Sequence, residues 1–176
     1  MRQKYDFILG IDPDIELCGL AILATESKTA QLSKLPPAAL VHEVWQFYRQ
    51  FGVDDGASVT VVIELDRNNH FNWHLSPQDT KAIAKRKGFD QGRCYQTAVM
   101  LADYLASCGV PVIEKAPLIK CWEGRDRKIS HDEIERLQGI HILTKHGKTN
   151  QEQRDALLLA LDVSGIPLRL GPKQKE

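Results

Sequence analysis

Residues 6–25, DFILGIDPDIELCGLAILAT, decide the fold of this chain. Over residues 6–12 apolar side chains occupy both faces, which is typical of a strand that is buried on two sides. A Pro-Asp pair then favours a turn, and residues 17–25 form a second apolar run of strand length with a glycine inside it. The stretch therefore predicts a β-hairpin, and a weaker third strand is predicted over residues 28–33.

The chain after the hairpin alternates between helix and strand patterns. Helices are predicted over residues 36–51, 91–107, 130–137 and 149–163 with a short one after Ser76, and strands over 59–65 and 109–114. This order predicts an α/β fold with a mixed central sheet, which starts as a three-strand antiparallel hairpin, continues with parallel strands and is flanked by helices. We expect a single domain over residues 1–165 and a C-terminal tail over residues 166–176.

Composition limits the classes of protein to which the chain can belong. It has 176 residues, 43% of them hydrophobic, and 23 Lys and Arg balance 23 Asp and Glu. A sizeable core is expected, and neutrality argues against coating nucleic acid or a membrane by bulk attraction. The four cysteines include no CxxC pair, and no apolar stretch approaches the length of a membrane span. We therefore expect reduced thiols, no membrane partner and a cytoplasmic location.

Acidic residues stand at the ends of three apolar elements. Asp12 and Glu64 each follow a buried strand, and Glu152 and Asp155 lie three residues apart at the start of the last helix, on one face of it. Converging carboxylates repel one another unless a cation neutralises them, and oxygen ligands suit Mg²⁺ or Mn²⁺. Two such ions roughly 4 Å apart can clamp a phosphoryl transfer. The pattern predicts a divalent-metal site, with Mg²⁺ or Mn²⁺ as its cofactor and two ions bound.

Each acid also has a structural explanation. Asp12 can start a turn, and Glu64 can be an exposed strand end. Glu152 stands three residues after Thr149, where the Glu of a capping box is found. Asp155 directly precedes the apolar run, where an acid is less readily accommodated, and is the hardest of the four to explain by structure alone.

Four blocks of sequence carry a family resemblance: ILGIDPDIELCGLAIL (8–23), VVIELD (61–66), GRCYQTAVMLADYLASCGVPVIEKAPLIK (92–120) and QEQRDALLLAL (151–161). In this order they resemble the RuvC-like Holliday junction resolvases of the ribonuclease H-like superfamily, and they cover most of the chain. Two positions depart from the family. Asp14 stands where Gly is usual and adds a possible auxiliary acid, and Glu152 stands where Asp is usual.

The resemblance implies a function in DNA recombination and repair. It implies a tetrad that is both catalytic and metal-binding, formed by Asp12, Glu64, Glu152 and Asp155. With Mg²⁺ or Mn²⁺ bound, water would attack a phosphodiester of branched DNA. A homodimer is expected, because a four-way junction has two symmetric strands to cut and a two-fold dimer places one site on each.

Two basic segments and one aromatic loop are candidates for contact with nucleic acid. The basic segments suit phosphate contacts or, alternatively, form a solvated surface, and their candidate residues are Lys85, Arg86, Lys87, Arg93, Lys120 and Lys128. In the family the loop corresponding to RNNHFNWHL (67–75) reaches into the junction, so Phe71 or Trp73 is predicted to stack on bases, unless both pack onto the domain. His146 is either an auxiliary group that activates water or a leaving group, or a surface residue.

The leading hypothesis is a metal-dependent, structure-selective DNA endonuclease that resolves Holliday junctions. The alternatives are a nuclease of the same fold acting on RNA or another branched DNA, and a ribonuclease H-like module that binds nucleic acid or partners without cutting. An actin-like ATPase or sugar kinase also begins with an Asp turn but needs two such domains. Because part of the negative charge lies in the tetrad and bound metal ions would neutralise it, DNA affinity is predicted to depend strongly on divalent metal.

Overall fold

The computed structural model describes residues 4–68, 76–144 and 147–172. Six strands are present: β1 (Phe7–Asp12), β2 (Cys18–Ala24), β3 (Thr29–Leu35), β4 (Val59–Glu64), β5 (Val112–Lys115) and β6 (His141–Thr144). Four α-helices accompany them: α1 (Pro37–Phe47), α2 (Lys81–Ser107), α3 (His131–Glu135) and α4 (Gln151–Ser164). Within these ranges no helix combines the length and the apolarity needed to cross a membrane.

The six strands form one mixed sheet in the order β5-β4-β1-β2-β3-β6. β2 is antiparallel to both of its neighbours, β1 and β3, as the hairpin pattern predicts. β4 is parallel to β1 and β5, and β6 is parallel to β3. A hairpin of three strands continued by parallel strands is the ribonuclease H-like arrangement, and it confirms the predicted fold class.

The sheet separates two apolar cores, because successive side chains of a strand point to opposite faces. Leu9 and Ile11 of β1 pack with α1 and α2 on one face. Ile8 of β1 and Val62 of β4 pack with α3 and α4 on the other. The molecule therefore has three layers, and even-numbered residues of β1 and β4 face α4.

Helix α2 differs from the prediction of a short helix followed by a helix over 91–107. It is one helix of 27 residues, capped by Thr80, whose side chain accepts a hydrogen bond from the Ile83 backbone N–H. Gly88 and Gly92 lie inside it without breaking it. A helical glycine costs only about 1 kcal/mol relative to alanine, so two of them do not end a helix that continues on both sides.

Other boundaries also differ from the sequence pattern. The predicted helix over 36–51 is α1 followed by π-helical turns over Tyr48–Asp54. The edge strand β6 was absent from the prediction, since its four residues, HILT, are too few to show a pattern of polar and apolar side chains. After α4 the chain turns at Gly165, and Gly171 donates a backbone hydrogen bond to Arg136 O at 2.8 Å. The division into a domain over 1–165 and a tail over 166–176 stays a prediction.

Candidate active site

Asp12 and Glu64 end neighbouring parallel strands. Ile11 of β1 pairs with Ile63 of β4, so the next residue of each strand is an acid at the same edge of the sheet. Both acids are half-buried, and both have even numbers, which places them on the face covered by α4. The strand register alone therefore brings the first two predicted acids together.

Two glycines allow the backbone of α4 to lie against this face. A Cβ atom on Gly19 would stand 2.0 Å from Glu152 O, and one on Gly10 would stand 2.0 Å from Ala156 O. Gly19 pairs with Asp12 across the hairpin, so the first turn of α4 lies beside the end of β1. The close approach of helix and sheet brings Glu152 and Asp155 to the edge that carries Asp12 and Glu64.

The start of α4 is capped differently from the prediction. Asn150 is the N-cap and Gln153 completes the capping box, with both hydrogen bonds at 2.9 Å. Asn is a strong N-cap residue, and Thr149 instead accepts a hydrogen bond from Arg154 and contacts His131. Capping therefore does not explain Glu152, and this structural interpretation of the residue is wrong.

The four acids form one electrostatic unit, here called the acid cluster: Asp12, Glu64, Glu152 and Asp155. Burial raises the pKa of Asp12 well above its ordinary value, and the carboxylates of the other three acids raise it further. Burial also raises the pKa of Glu64, and Asp155 adds to that effect. The positive charge of Lys128 opposes both shifts. Such mutual repulsion favours a bound cation at this edge of the sheet.

Two side chains occupy the oxygens of Asp155. Lys128 Nζ donates to Oδ2 at 3.2 Å, and Gln151 Nε2 donates to Oδ1 at 2.7 Å. Lys128 is only one-third exposed, and it comes from the loop that precedes α3. The ammonium group of Lys128 thus supplies part of the positive charge that the acid cluster needs.

The donor set of the acid cluster fits a hard divalent cation, because it consists of carboxylate oxygens that repel one another. Across the described ranges, however, no three His, Cys, Asp or Glu side chains already converge as metal ligands. The ion pair with Lys128 explains part of this difference, since it holds Asp155. A metal ion that binds Asp155 through Oδ2 would compete with Lys128 for that oxygen.

The repulsion in the acid cluster predicts how stability depends on pH in a chelator. The folded-state pKa values of Asp12 and Glu64 are raised, so the folded protein binds more protons than the unfolded chain at pH values above their ordinary pKa values of 3.8 and 4.5. Folding stability is therefore expected to fall as the pH rises through that window. Thermal unfolding in EDTA at pH 4.5 to 8 measures it.

The control for this pH series is the Asp12→Asn variant, which removes the group with the larger repulsion. Its unfolding midpoint should fall less over the same pH range. The loss in free energy of unfolding should be smaller than that of the wild type by on the order of 1 kcal/mol. Parallel pH profiles for the two proteins would show that Asp12 does not carry a raised pKa.

Asp14, the predicted auxiliary acid, organises its own turn. Its Oδ1 accepts hydrogen bonds from the backbone N–H groups of Glu16 at 2.8 Å and Leu17 at 3.1 Å. A carboxylate that accepts such bonds stabilises a turn that a glycine would form by backbone freedom alone. The departure from the family pattern at this position is therefore compatible with the hairpin, and an auxiliary role of Asp14 stays a prediction.

The predicted basic residues divide into two groups. Lys120 and Lys128 lie close enough to the acid cluster that their charges lower the pKa of Glu64. Lys85, Arg86 and Arg93 are exposed on the first half of α2. Lys87 is on the same helix and donates to both oxygens of Asp79, at 2.8 and 3.0 Å. The first group is adjacent to the candidate site, whereas the second forms an exposed basic stretch.

Three further predicted residues, Phe71, Trp73 and His146, lie outside the described residues. The base of the aromatic loop is described, and Arg67 fixes it. Its Nη2 donates to Asp103 at 2.6 Å and to Glu114 at 2.7 Å, and its Nε donates to Glu114 as well. The loop therefore leaves the sheet from a point that is fastened to both α2 and β5.

Sequence reasoning missed Gly10, Gln151 and Arg154. Gly10 lies in an apolar strand, where a glycine usually signals a close approach of another backbone, and that signal was available. Gln151 and Arg154 flank the predicted acids and carry no pattern of their own. Their partners at 129, 149 and 155 become apparent only when α4 is placed beside the loop that carries Lys128.

The strand order defines a ribonuclease H-like fold, and the acid cluster lies at one edge of its sheet. Two solved structures of RuvC from Thermus thermophilus are similar to the chain. One, in complex with a Holliday junction substrate, has 18% identity and a TM-score of 0.46 and covers 88% of this chain and 90% of its own. The other has 18% identity and a TM-score of 0.45, with coverage of 88% and 91%. No family model and no curated protein matches the chain.

Proposed function

We propose that this chain is a metal-dependent endonuclease that hydrolyses phosphodiesters of branched DNA, with the four-way junction as its substrate. The observation that supports the proposal most is that three elements bring four acids to one edge of the sheet. Asp12 and Glu64 come from adjacent parallel strands, and Glu152 and Asp155 come from the helix that covers them. Nothing in the packing of the core requires acids at these positions, and their repulsion opposes folding.

The acid cluster would hold Mg²⁺ or Mn²⁺, and we propose two ions. Ions bound there supply Lewis acidity, which stabilises negative charge on a phosphate and lowers the pKa of an attacking water. The protein then needs no nucleophile of its own. Asp12 and Glu64 are fixed by the sheet, whereas Asp155 changes partner from Lys128 when an ion is bound.

Positive side chains beside the acid cluster are suited to hold the DNA backbone. Lys120 is exposed, and Lys128 becomes available for a phosphate once Asp155 releases it. Lys85, Arg86 and Arg93 on α2 form a second exposed basic stretch that would contact the backbone as well. Such contacts fix position without reading sequence, as expected for an enzyme that recognises DNA shape. Stacking of Phe71 or Trp73 on bases is part of the proposal.

A homodimer is proposed through the outer face of α2. Phe89, Met100 and Tyr104 are more than half exposed, at 64%, 63% and 56%. The helical repeat places them within about 60° of one another on one face. The opposite face, with Leu101 and Leu105, packs in the core. An exposed apolar face on a helix already anchored by its other side suits pairing with a second copy.

One observation favours the alternative of a module that binds nucleic acid without cutting. Lys128 neutralises Asp155 in the same way that a lysine neutralises an acid in a purely structural ion pair. If this pair persists in the presence of metal, the acid cluster has no free ligand from α4 other than Glu152. Binding without cleavage would then be the function.

A cleavage panel tests the proposal. The full chain is incubated with a labelled four-way junction, a fork, a linear duplex and an RNA/DNA hybrid, in Mg²⁺ and in EDTA. We expect symmetric cuts in the junction in Mg²⁺, little cutting of the linear duplex, and no product in EDTA. Preferential cutting of the hybrid would assign the chain to RNA. If the chain binds the four-way junction tightly but yields no product in either Mg²⁺ or Mn²⁺, the non-catalytic module is favoured.

A further inference from the structure

Arg154 stands between Glu152 and Asp155 in the sequence, and its side chain is half-buried. It donates four described hydrogen bonds, all to residues outside the acid cluster. Nε donates to Ile129 O at 2.8 Å. Nη1 donates to Thr149 O at 2.6 Å and to Thr149 Oγ1 at 3.2 Å. Nη2 donates to Gln151 Oε1 at 2.9 Å. One guanidinium group thus joins the loop that precedes α3 to the first turn of α4.

The bond to Gln151 determines which way its amide points. Because Oε1 accepts from Arg154, Nε2 is directed at Asp155 Oδ1, to which it donates at 2.7 Å. Without Arg154, Oε1 of Gln151 loses its donor and the side chain is free to leave Asp155 for water. Arg154 therefore controls the donor on one oxygen of Asp155.

The bond to Ile129 controls the other oxygen. Ile129 follows Lys128, whose Nζ donates to Asp155 Oδ2 at 3.2 Å. Fixing the carbonyl of Ile129 fixes the backbone from which Lys128 reaches the acid cluster, and the Ile129 side chain is itself buried. Both partners of Asp155 are thus held by the same guanidinium group, although Arg154 makes no described hydrogen bond to Asp155 itself.

We propose that Arg154 is a positioning residue, which sets the orientation of the Asp155 carboxylate for metal binding by holding Gln151 and the Lys128 loop. This inference rests on the proposed function. The planar guanidinium group suits the role because it directs donors to three residues at fixed angles. A lysine ammonium would keep the charge but could not make the same set of bonds.

The experiment measures Mn²⁺ binding to the full chain by calorimetry and electron paramagnetic resonance, without DNA. The variants are Arg154→Met, Arg154→Lys and Gln151→Leu. Arg136→Met is the matched control, since Arg136 is also partly buried, with 16% of its side chain exposed, and donates to the backbone carbonyls of Asp132 and Gly171. Thermal unfolding and hydrogen exchange over residues 129 and 149–155 are recorded for every protein.

We expect Arg154→Met to weaken Mn²⁺ binding by about 10- to 100-fold, the usual effect of removing a residue that orients a metal ligand. Gln151→Leu should also weaken Mn²⁺ binding, although the hydrogen bonds from Arg154 to Ile129 and Thr149 stay in place. Arg154→Lys should recover little of the loss. Arg136→Met should bind Mn²⁺ like the wild type, even if its unfolding midpoint falls as far.

Three results would overturn the inference. If Arg154→Met binds Mn²⁺ with wild-type affinity, with or without faster hydrogen exchange at residues 149–155, Asp155 is oriented without the hydrogen bonds of Arg154. Full recovery by Arg154→Lys would show that charge alone is responsible. If the wild-type protein binds no Mn²⁺, both the proposed function and this inference are overturned. If the wild type binds Mn²⁺ and Arg154→Met binds it equally well, only this inference is overturned.

Discussion

Asp12→Asn is expected to abolish cleavage of a four-way junction in Mg²⁺, by roughly 1,000-fold or more, while leaving junction binding in Ca²⁺ largely intact. Asp12 is the acid on which the other three act together, since Glu64, Asp155 and Glu152 all raise its pKa in addition to burial. Its amide would keep the shape of the side chain but lose the charge that attracts a cation. Single-turnover cleavage of labelled junction, with binding measured separately by gel shift, gives the two quantities.

The same variant is expected to be more stable than the wild type in EDTA. Removing a half-buried charge that three carboxylates repel should add on the order of 1 kcal/mol, which corresponds to roughly 2 to 4 °C in the unfolding midpoint for a chain of this size. A variant that is inactive and yet more stable separates a site residue from a structural one. Lost cleavage accompanied by lost stability would instead indicate damage to the fold.

Two other Asp→Asn exchanges complete the design. Asp54→Asn changes an exposed acid at the end of the π-helical turns and should leave both cleavage and stability unchanged. Asp14→Asn retains the side-chain oxygen that accepts from Glu16 and Leu17, so the turn should survive. Loss of cleavage in Asp14→Asn would assign Asp14 to the site as an auxiliary acid. Unchanged cleavage by Asp12→Asn would contradict its role as a metal ligand.

The parts of the fold that could be predicted from sequence are those determined by local patterns. β1, β2 and β4 are buried strands with apolar side chains on both faces, and this signal needs no knowledge of their neighbours. The acids of the cluster follow directly from the ends of these strands and from the start of the last helix.

The parts that could not be predicted depend on contacts between distant segments. The predicted N-cap of α4 is Thr149, whereas the structure has Asn150 in that position. The Thr149 side chain instead makes hydrogen bonds with Arg154 and with His131, a residue 18 positions earlier in the chain. The ion pair of Lys128 with Asp155 joins residues 27 positions apart, and no local pattern predicts which lysine pairs with which acid. Local pattern therefore predicts which acids stand at element ends, but not what neutralises them.

Gly19→Ala is expected to destabilise the fold by about 2 to 4 kcal/mol and to remove most of the cleavage activity. The new Cβ atom would stand 2.0 Å from the carbonyl oxygen and 2.3 Å from the carbonyl carbon of Glu152. Both are backbone atoms in the first turn of α4, so no side-chain rotation relieves the overlap. The helix must move away from the sheet, and it carries Glu152 and Asp155 with it.

Gly88→Ala is the matched control for Gly19→Ala. Gly88 lies inside α2, and a Cβ atom there would meet nothing within 4 Å. The control should stabilise the protein by about 0.5 to 1 kcal/mol, because alanine loses less conformational freedom in a helix than glycine does. Unfolding midpoints of the two variants should therefore move in opposite directions from that of the wild type.

Activity measured well below the unfolding midpoint distinguishes displacement of the acids from simple unfolding. If α4 sets the position of two metal ligands, folded Gly19→Ala should still cleave roughly 100-fold more slowly, since a shift of about 1 Å in a catalytic group costs that much. Gly19→Ala that is destabilised but fully active when folded would show that the site tolerates movement of α4. A midpoint equal to that of the wild type would contradict the close contact between helix and sheet on which the placement of the acid cluster depends.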